Sequence, residues 1–135
     1  METEPKYTVV TFEKEEQTGI VTLNRPDHLN AWTWPLMAEM RHALLRVDND
    51  PGLRAAILTG AGRCFCAGAD LSAGGSTFDF SSLPESQRED MLNDPYFLKW
   101  SFSLRKPVIV AYNGPAVGVG AVSYTHLTLP TNREV

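Results

Sequence analysis

Residues 54–71, RAAILTGAGRCFCAGADL, run from a continuous apolar stretch into a turn of glycine, alanine and cysteine. Their reading decides the fold. Arg54 to Thr59 suits a β-strand covered on both faces, because no polar residue alternates with the apolar ones. Gly60-Ala61-Gly62 ends that strand. The nine residues that follow, RCFCAGADL at 63–71, suit a metal loop, a plain structural turn, or a place where bare backbone N–H groups meet a ligand. Cys64 and Cys66 are the chain's 2 cysteines. On extended backbone they point to opposite faces, which disfavours a disulfide between them. Two thiolates without a neighbouring histidine fall short of a zinc set, so no metal is expected. Small buried side chains in a reducing compartment are the plainer reading.

Working outward, the same layout recurs. Lys106-Pro107 lead into VIVAY (108–112), another strand of the type covered on both faces, and then into the turn NGPAVGVGA (113–121). Upstream, residues 7–13 and 18–23 are short β-branched runs around Gln17-Thr18-Gly19 and read as a β-hairpin. Asn24-Arg25-Pro26 breaks the second run. A helix is expected from Thr33, with Thr33 as cap, Pro35 in the first turn, and Trp34, Met37, Leu44 and Leu45 near one face. Asp48-Asn49-Asp50-Pro51-Gly52 stops it. Residues 72–84 read as a loop, and 84–104 as a second helix interrupted at Asn93-Asp94-Pro95. Strands alternating with helices indicate an α/β architecture, with no internal repeat and no linker.

A chain of 135 residues fits one domain. Its net charge of −4 argues against a nucleic-acid role resting on overall charge. No apolar run is long enough to span a bilayer. The start, METEPKYTVV, has neither the basic region nor the apolar core of a signal peptide, so a cytoplasmic location is expected.

The glycines could serve only to turn the chain. Neither turn has GxxxxGK[ST], so a nucleotide P-loop is not supported, and neither completes G-x-G-x-x-G with an evident ribose-binding acid. What remains is backbone chemistry. Glycine and alanine at a helix start leave N–H groups unpaired and unshielded. Two such turns facing each other could set two donors on one carbonyl oxygen, an oxyanion hole.

TLNRPDHLNAW (22–32), AAILTGAGRCFCAGADLS (55–72) and KPVIVAYNGPAVGVGA (106–121) resemble the three successive signatures of the crotonase superfamily, the enoyl-CoA hydratase/isomerase family. The resemblance spans roughly residues 7–121, in order and at family-like spacing. It implies an α/β fold, a crotonase-like ββα spiral, truncated here, with residues 1–121 as the N-terminal part of the domain. It also implies assembly as trimers or pairs of trimers, acyl-CoA thioesters as substrates, and an enolate formed at the thioester carbonyl. Carried onto this chain, the two oxyanion donors are the backbone N–H groups of Ala69 and Val119. Asp27, His28 and Leu29 would lie along the coenzyme A, and Ala67, Gly68, Asp70 and Leu71 would line its adenine and pantetheine side. Coenzyme A is part of the substrate, so no separate cofactor is implied. Asp70 serves equally well as a helix cap. His28 and His42 read as solvated surface.

The chain also departs from the family. Hydratases use two glutamates for acid/base work. Family spacing puts the first at Val122, which cannot accept a proton, and the second further along. The stretch VSYTHLTLPTNREV (122–135) resembles a translated sequencing adapter and reads as a non-native tail, so Ser123 and His126 are assigned no chemistry. The expected activity is hydration of an α,β-unsaturated acyl-CoA. A Δ3,Δ2-enoyl-CoA isomerase or another acyl-CoA enzyme of the family is the alternative. A catalytically inactive fragment, at most a weak coenzyme A binder, is the alternative of a different class.

Overall fold

The computed structural model describes residues 6–68, 81, 84, 85, 88, 89, 93 and 102–117. Its elements are β1 (Val10–Glu15), β2 (Thr18–Leu23), a 3-10 turn (Pro26–His28), α1 (Trp34–Asn49), β3 (Ala55–Gly60) and β4 (Val108–Val110). They form one sheet of order β1-β2-β3-β4. The first pair is antiparallel, and β3 runs parallel to both β2 and β4.

The expected hairpin is present, with its turn moved. Glu15 pairs with Thr18, so Glu16 and Gln17 make the connection, and Glu16 takes a left-handed backbone at φ 55°. Thr18 and Gly19 belong to β2. Gly19 serves packing, since a Cβ there would stand 2.5 Å from Cγ2 of Val47 on α1. It pairs with Ala56, which pairs with Val108. This row of small side chains lets the end of the helix approach the sheet.

α1 begins where its cap predicts. The Thr33 hydroxyl accepts a hydrogen bond from the Leu36 N–H at 3.2 Å, and Pro35 occupies a position whose N–H would have no partner. The buried side chains of α1 include Trp34, Leu36, Met37, Met40, Leu44 and Val47, which recur at helical spacing. They pack on Val10, Val21, Leu23, Ala56, Leu58, Val108 and Val110 to form the core. Truncating a fully buried leucine such as Leu36 or Leu58 would cost about 2–5 kcal/mol.

The helix ends in a clamp. Asp48 accepts hydrogen bonds from the backbone N–H groups of Arg105 (2.9 Å) and Lys106 (3.1 Å). The Lys106 ammonium donates to the Val47 carbonyl at 2.7 Å, and Arg105 Nη2 donates to the Asp48 carbonyl at 3.0 Å. Two cations thus satisfy terminal carbonyls at the negative end of the helix, and they fix where β4 begins.

Residues 54–59 and 108–112 read as strands covered on both faces, and among the described residues α1 covers one of those faces. Ala56, Leu58, Val108 and Val110 are buried against α1, whereas Ile20, Ile57 and Ile109 form a row on the opposite face, with Ile109 49% exposed. Side chains alternate across a strand, and α1 lies on one side only. β4 also stops at Val110, short of Ala111 and Tyr112.

The helix expected over 84–104 and the loop over 72–84 fall mostly outside the described residues. A hydrogen bond of helical spacing, from Arg88 N–H to the Pro84 carbonyl at 2.9 Å, lies within them. The boundary expected at 121/122 lies outside them. Among the described residues no helix is long and apolar enough to cross a membrane.

Candidate active site

Because β2, β3 and β4 run parallel, the segments leaving their carboxyl ends meet at one end of the sheet: 24–33, 61–68 and 111–117. This is where open parallel sheets bind ligands.

The first segment winds tightly after Pro26. Leu29 and Asn30 both take left-handed backbone, at φ 55° and 53°. Asparagine tolerates this conformation, whereas for leucine it costs about 1–2 kcal/mol, which the surroundings must supply. Arg25 stabilises the loop from inside, donating from Nη1 to the Ala31 carbonyl at 2.8 Å. Asn30 is fully buried. Its Oδ1 accepts from the Arg25 N–H at 2.7 Å, and its Nδ2 donates to the carbonyls of Ala61 (2.9 Å) and Cys64 (2.8 Å).

The second segment runs beside the first. The Ala67 N–H donates to the Leu29 carbonyl at 3.1 Å, and the Trp32 N–H donates to the Gly68 carbonyl at 2.6 Å. Two of its glycines take left-handed backbone, Gly62 at φ 84° and Gly68 at φ 93°, where side chains are disfavoured.

The third segment lies against the second. Cys66 and Ala116 form a parallel bridge, in which the Val117 N–H donates to the Cys66 carbonyl at 3.0 Å. The Pro115 carbonyl accepts from the N–H groups of Phe65 and Cys66 and from the Cys64 thiol. Asn113 donates from Nδ2 to the Gly62 carbonyl at 2.8 Å, and the Thr59 hydroxyl donates to the Ala111 carbonyl at 2.8 Å. Gly114 leaves room for this contact, because a Cβ there would strike the Arg63 carbonyl. The described parts of the two glycine turns, 61–68 and 113–117, are therefore a single hydrogen-bonded unit.

Both cysteines are free and buried. Burial pushes the Cys66 thiol up, outweighing the hydrogen bond from the Gly68 N–H that lowers it. A buried thiol whose ionisation is disfavoured is a poor nucleophile. Among the described residues no three His, Cys, Asp or Glu side chains are grouped to hold a metal.

The structure brings five of the sequence-derived site residues together. Asp27 and His28 are exposed on the 3-10 turn, Leu29 and Ala67 are half-buried and hydrogen-bonded through their backbones, and Gly68 is buried beside Trp32. Ala69, Asp70, Leu71 and Val119 lie outside the described residues, as does Val122. His42 is exposed as expected, but it has a partner: the Tyr7 hydroxyl lies 2.8 Å from its Nδ1. Sequence reasoning missed Asn30 and Asn113. An asparagine in a turn was visible, and its tolerance of left-handed backbone was a usable signal. The carbonyls it meets were not.

Two glycine turns hydrogen-bonded to each other at the carboxyl ends of a parallel sheet are the candidate site. The family profile described as Enoyl-CoA hydratase/isomerase matches residues 13–125. The chain belongs to the enoyl-CoA hydratase/isomerase family. Enoyl-CoA hydratase EchA19 of Mycobacterium tuberculosis is 42% identical over 113 residues, covering 80% of this chain and 40% of that protein. The short-chain-enoyl-CoA hydratase of Clostridium acetobutylicum is 38% identical over 112 residues, covering 82% and 41%. The crystal structure of an enoyl-CoA hydratase/isomerase from Mycobacterium paratuberculosis superposes with a TM-score of 0.70 at 31% identity, covering 85% of this chain and 44% of that one. The chain spans about two-fifths of the length of the curated relatives it matches.

Proposed function

We propose that this chain is the N-terminal part of an enoyl-CoA hydratase, which adds water across the α,β double bond of an acyl-CoA thioester. As the reaction proceeds, the thioester oxygen gains enolate charge. The N–H groups of Ala69 and Val119 would meet that charge, each donor worth roughly a hundred- to a thousandfold in rate.

The observation that carries this reading is the parallel bridge between Cys66 and Ala116. Each proposed donor follows its bridge residue by the same distance along the chain, 69 − 66 = 3 and 119 − 116 = 3. A second observation supports it. The Gly68 carbonyl is anchored by Trp32, and the N–H of residue 69 shares that planar peptide unit. Orienting one end of the unit orients the other.

Coenzyme A would run past Asp27, His28 and Leu29 on one side and Ala67, Gly68, Asp70 and Leu71 on the other, with no separate cofactor. A trimer or hexamer and a cytoplasmic location belong to the same proposal. Light scattering on the full-length protein at micromolar concentration tests the assembly, and a clean monomer counts against it.

A second reading shares the same enolate. The resemblance places the first hydratase glutamate at position 122, inside the stretch read as a non-native tail, and a Δ3,Δ2-enoyl-CoA isomerase works without that group. Full-length protein offered α,β- and β,γ-unsaturated acyl-CoA separates the two. A 3-hydroxyacyl-CoA product supports hydration, and conversion of the β,γ isomer without hydroxylation supports isomerisation. No turnover of either overturns both. The third reading is that the 135-residue chain by itself is an inactive fragment, at most a weak coenzyme A binder. Hydration by the purified chain would overturn that.

A further inference from the structure

Among the described residues, two polar side chains are buried, Asp48 and Asn30. Asp48 closes the helix clamp. Asn30 closes its own loop through Arg25 and also reaches beyond it. Its carboxamide spends both donor hydrogens on carbonyls of the glycine turn, Ala61 and Cys64, which lie 31 and 34 residues away. Its oxygen holds the Arg25 N–H, so the side chain is satisfied on both ends.

The residues on either side of it grip the same turn further along. Leu29 accepts from Ala67, and Trp32 donates to Gly68. Residues 29–32 therefore hold the turn at its beginning through the Asn30 side chain and at its end through backbone. The packing leaves no slack, because a Cβ on Gly60 would stand 3.0 Å from the Asn30 amide nitrogen.

We propose that Asn30 is a positioning residue for the oxyanion site: its buried carboxamide sets the height and tilt of the 61–68 turn, and thereby the aim of the N–H that follows Gly68. The proposal rests on the oxyanion reading above. Asn30 touches no substrate. It acts by holding a donor whose bond is stronger in the transition state than in the ground state, so its loss is read in kcat rather than in KM. A displacement near 1 Å can cost about a hundredfold.

The test uses the full-length protein with two substitutions. Asn30→Gly removes the carboxamide while accepting the left-handed backbone, and Asn30→Asp keeps the acceptor and the backbone but leaves at most one of the two donors. Thermal melting shows that each variant is folded. The expected result is a fall in kcat of about tenfold to a hundredfold with KM far less changed. In parallel, thiol labelling of Cys64 and Cys66, resolved by mass spectrometry, should quicken in both variants, because the loosened turn exposes them. Wild-type kcat in both variants overturns the proposal and leaves the hydratase reading standing. A rise in KM at constant kcat also overturns it, as does a fall in kcat with labelling unchanged. If the wild-type protein turns over no acyl-CoA, the oxyanion reading fails and takes the catalytic role of Asn30 with it. The labelling rates then still decide whether Asn30 holds the turn.

Discussion

Gly114 carries the contact between the two glycine turns, and Gly114→Ala is the sharpest perturbation available to it. The methyl group would stand 3.0 Å from the carbonyl carbon of Arg63 and 3.2 Å from Cα of Cys64, and closer still to the Arg63 carbonyl oxygen. All three are backbone atoms, so no rotamer change relieves the contact. Ordinary van der Waals contact begins at 3.4 Å, which requires at least 0.4 Å of opening at the carbon. The oxygen requires on the order of 1 Å. Strain of this kind costs about 1–3 kcal/mol. The backbone of Gly114 is not left-handed, so alanine meets no conformational penalty there. In the absence of the clash, Gly→Ala would stabilise by about 0.4–1 kcal/mol through the unfolded chain. The expected sign is therefore opposite to the generic one, which makes the test sharp. Chemical denaturation of wild type and variant measures the stability change. Steady-state turnover of an enoyl-CoA by the full-length protein measures the displacement, expected to cost about a hundredfold in kcat if the turns part by 1 Å. A variant as stable as wild type, or more stable, would refute the reasoning that Gly114 exists for close approach.

Asp48→Ala should destabilise by about 2–3 kcal/mol, because the N–H groups of Arg105 and Lys106 lose a charged acceptor. Desolvation alone would raise the Asp48 carboxyl, but hydrogen bonds from Lys106 and Arg105 together with the Arg105 guanidinium hold it below its ordinary 3.8. A depressed carboxylate contributes stability above its unfolded pKa and loses it as pH falls toward the folded one. Wild-type melting temperature should therefore fall on acidification below about pH 4, and Asp48→Ala should flatten part of that fall. Glu16→Gly relieves a left-handed residue in the hairpin turn and should raise stability by about 0.5–1 kcal/mol, read by the same denaturation. In the full-length protein Ala69→Pro deletes the proposed donor and should lower turnover at least about a hundredfold. Ala69→Ser keeps the N–H and should cost much less, so equal behaviour of the two would remove the backbone role.

Local chemistry was legible in the sequence where the deciding partner lies within a few residues. The start of α1 is such a case, since Thr33 caps an N–H three positions on and Pro35 needs no partner. So is its end, where Asp48 to Gly52 stops the periodic pattern. The two glycine turns were legible as turns, and the resemblance then supplied Ala69 and Val119 as the proposed donors. Tertiary structure alone decided the rest. An apolar run such as 55–59 states that a strand is buried but not how many of its faces are, because that depends on where α1 lies. Gly19 and Gly114 look like turn residues, and each is instead a place where another part of the molecule comes too close for a Cβ. Asn30 and Asp48 look like ordinary turn and helix-end polar residues. Their roles come from atoms 31 to 58 residues away, brought within hydrogen-bond range by the parallel sheet. A hydrogen bond senses distance in space, and only the folded chain sets that distance.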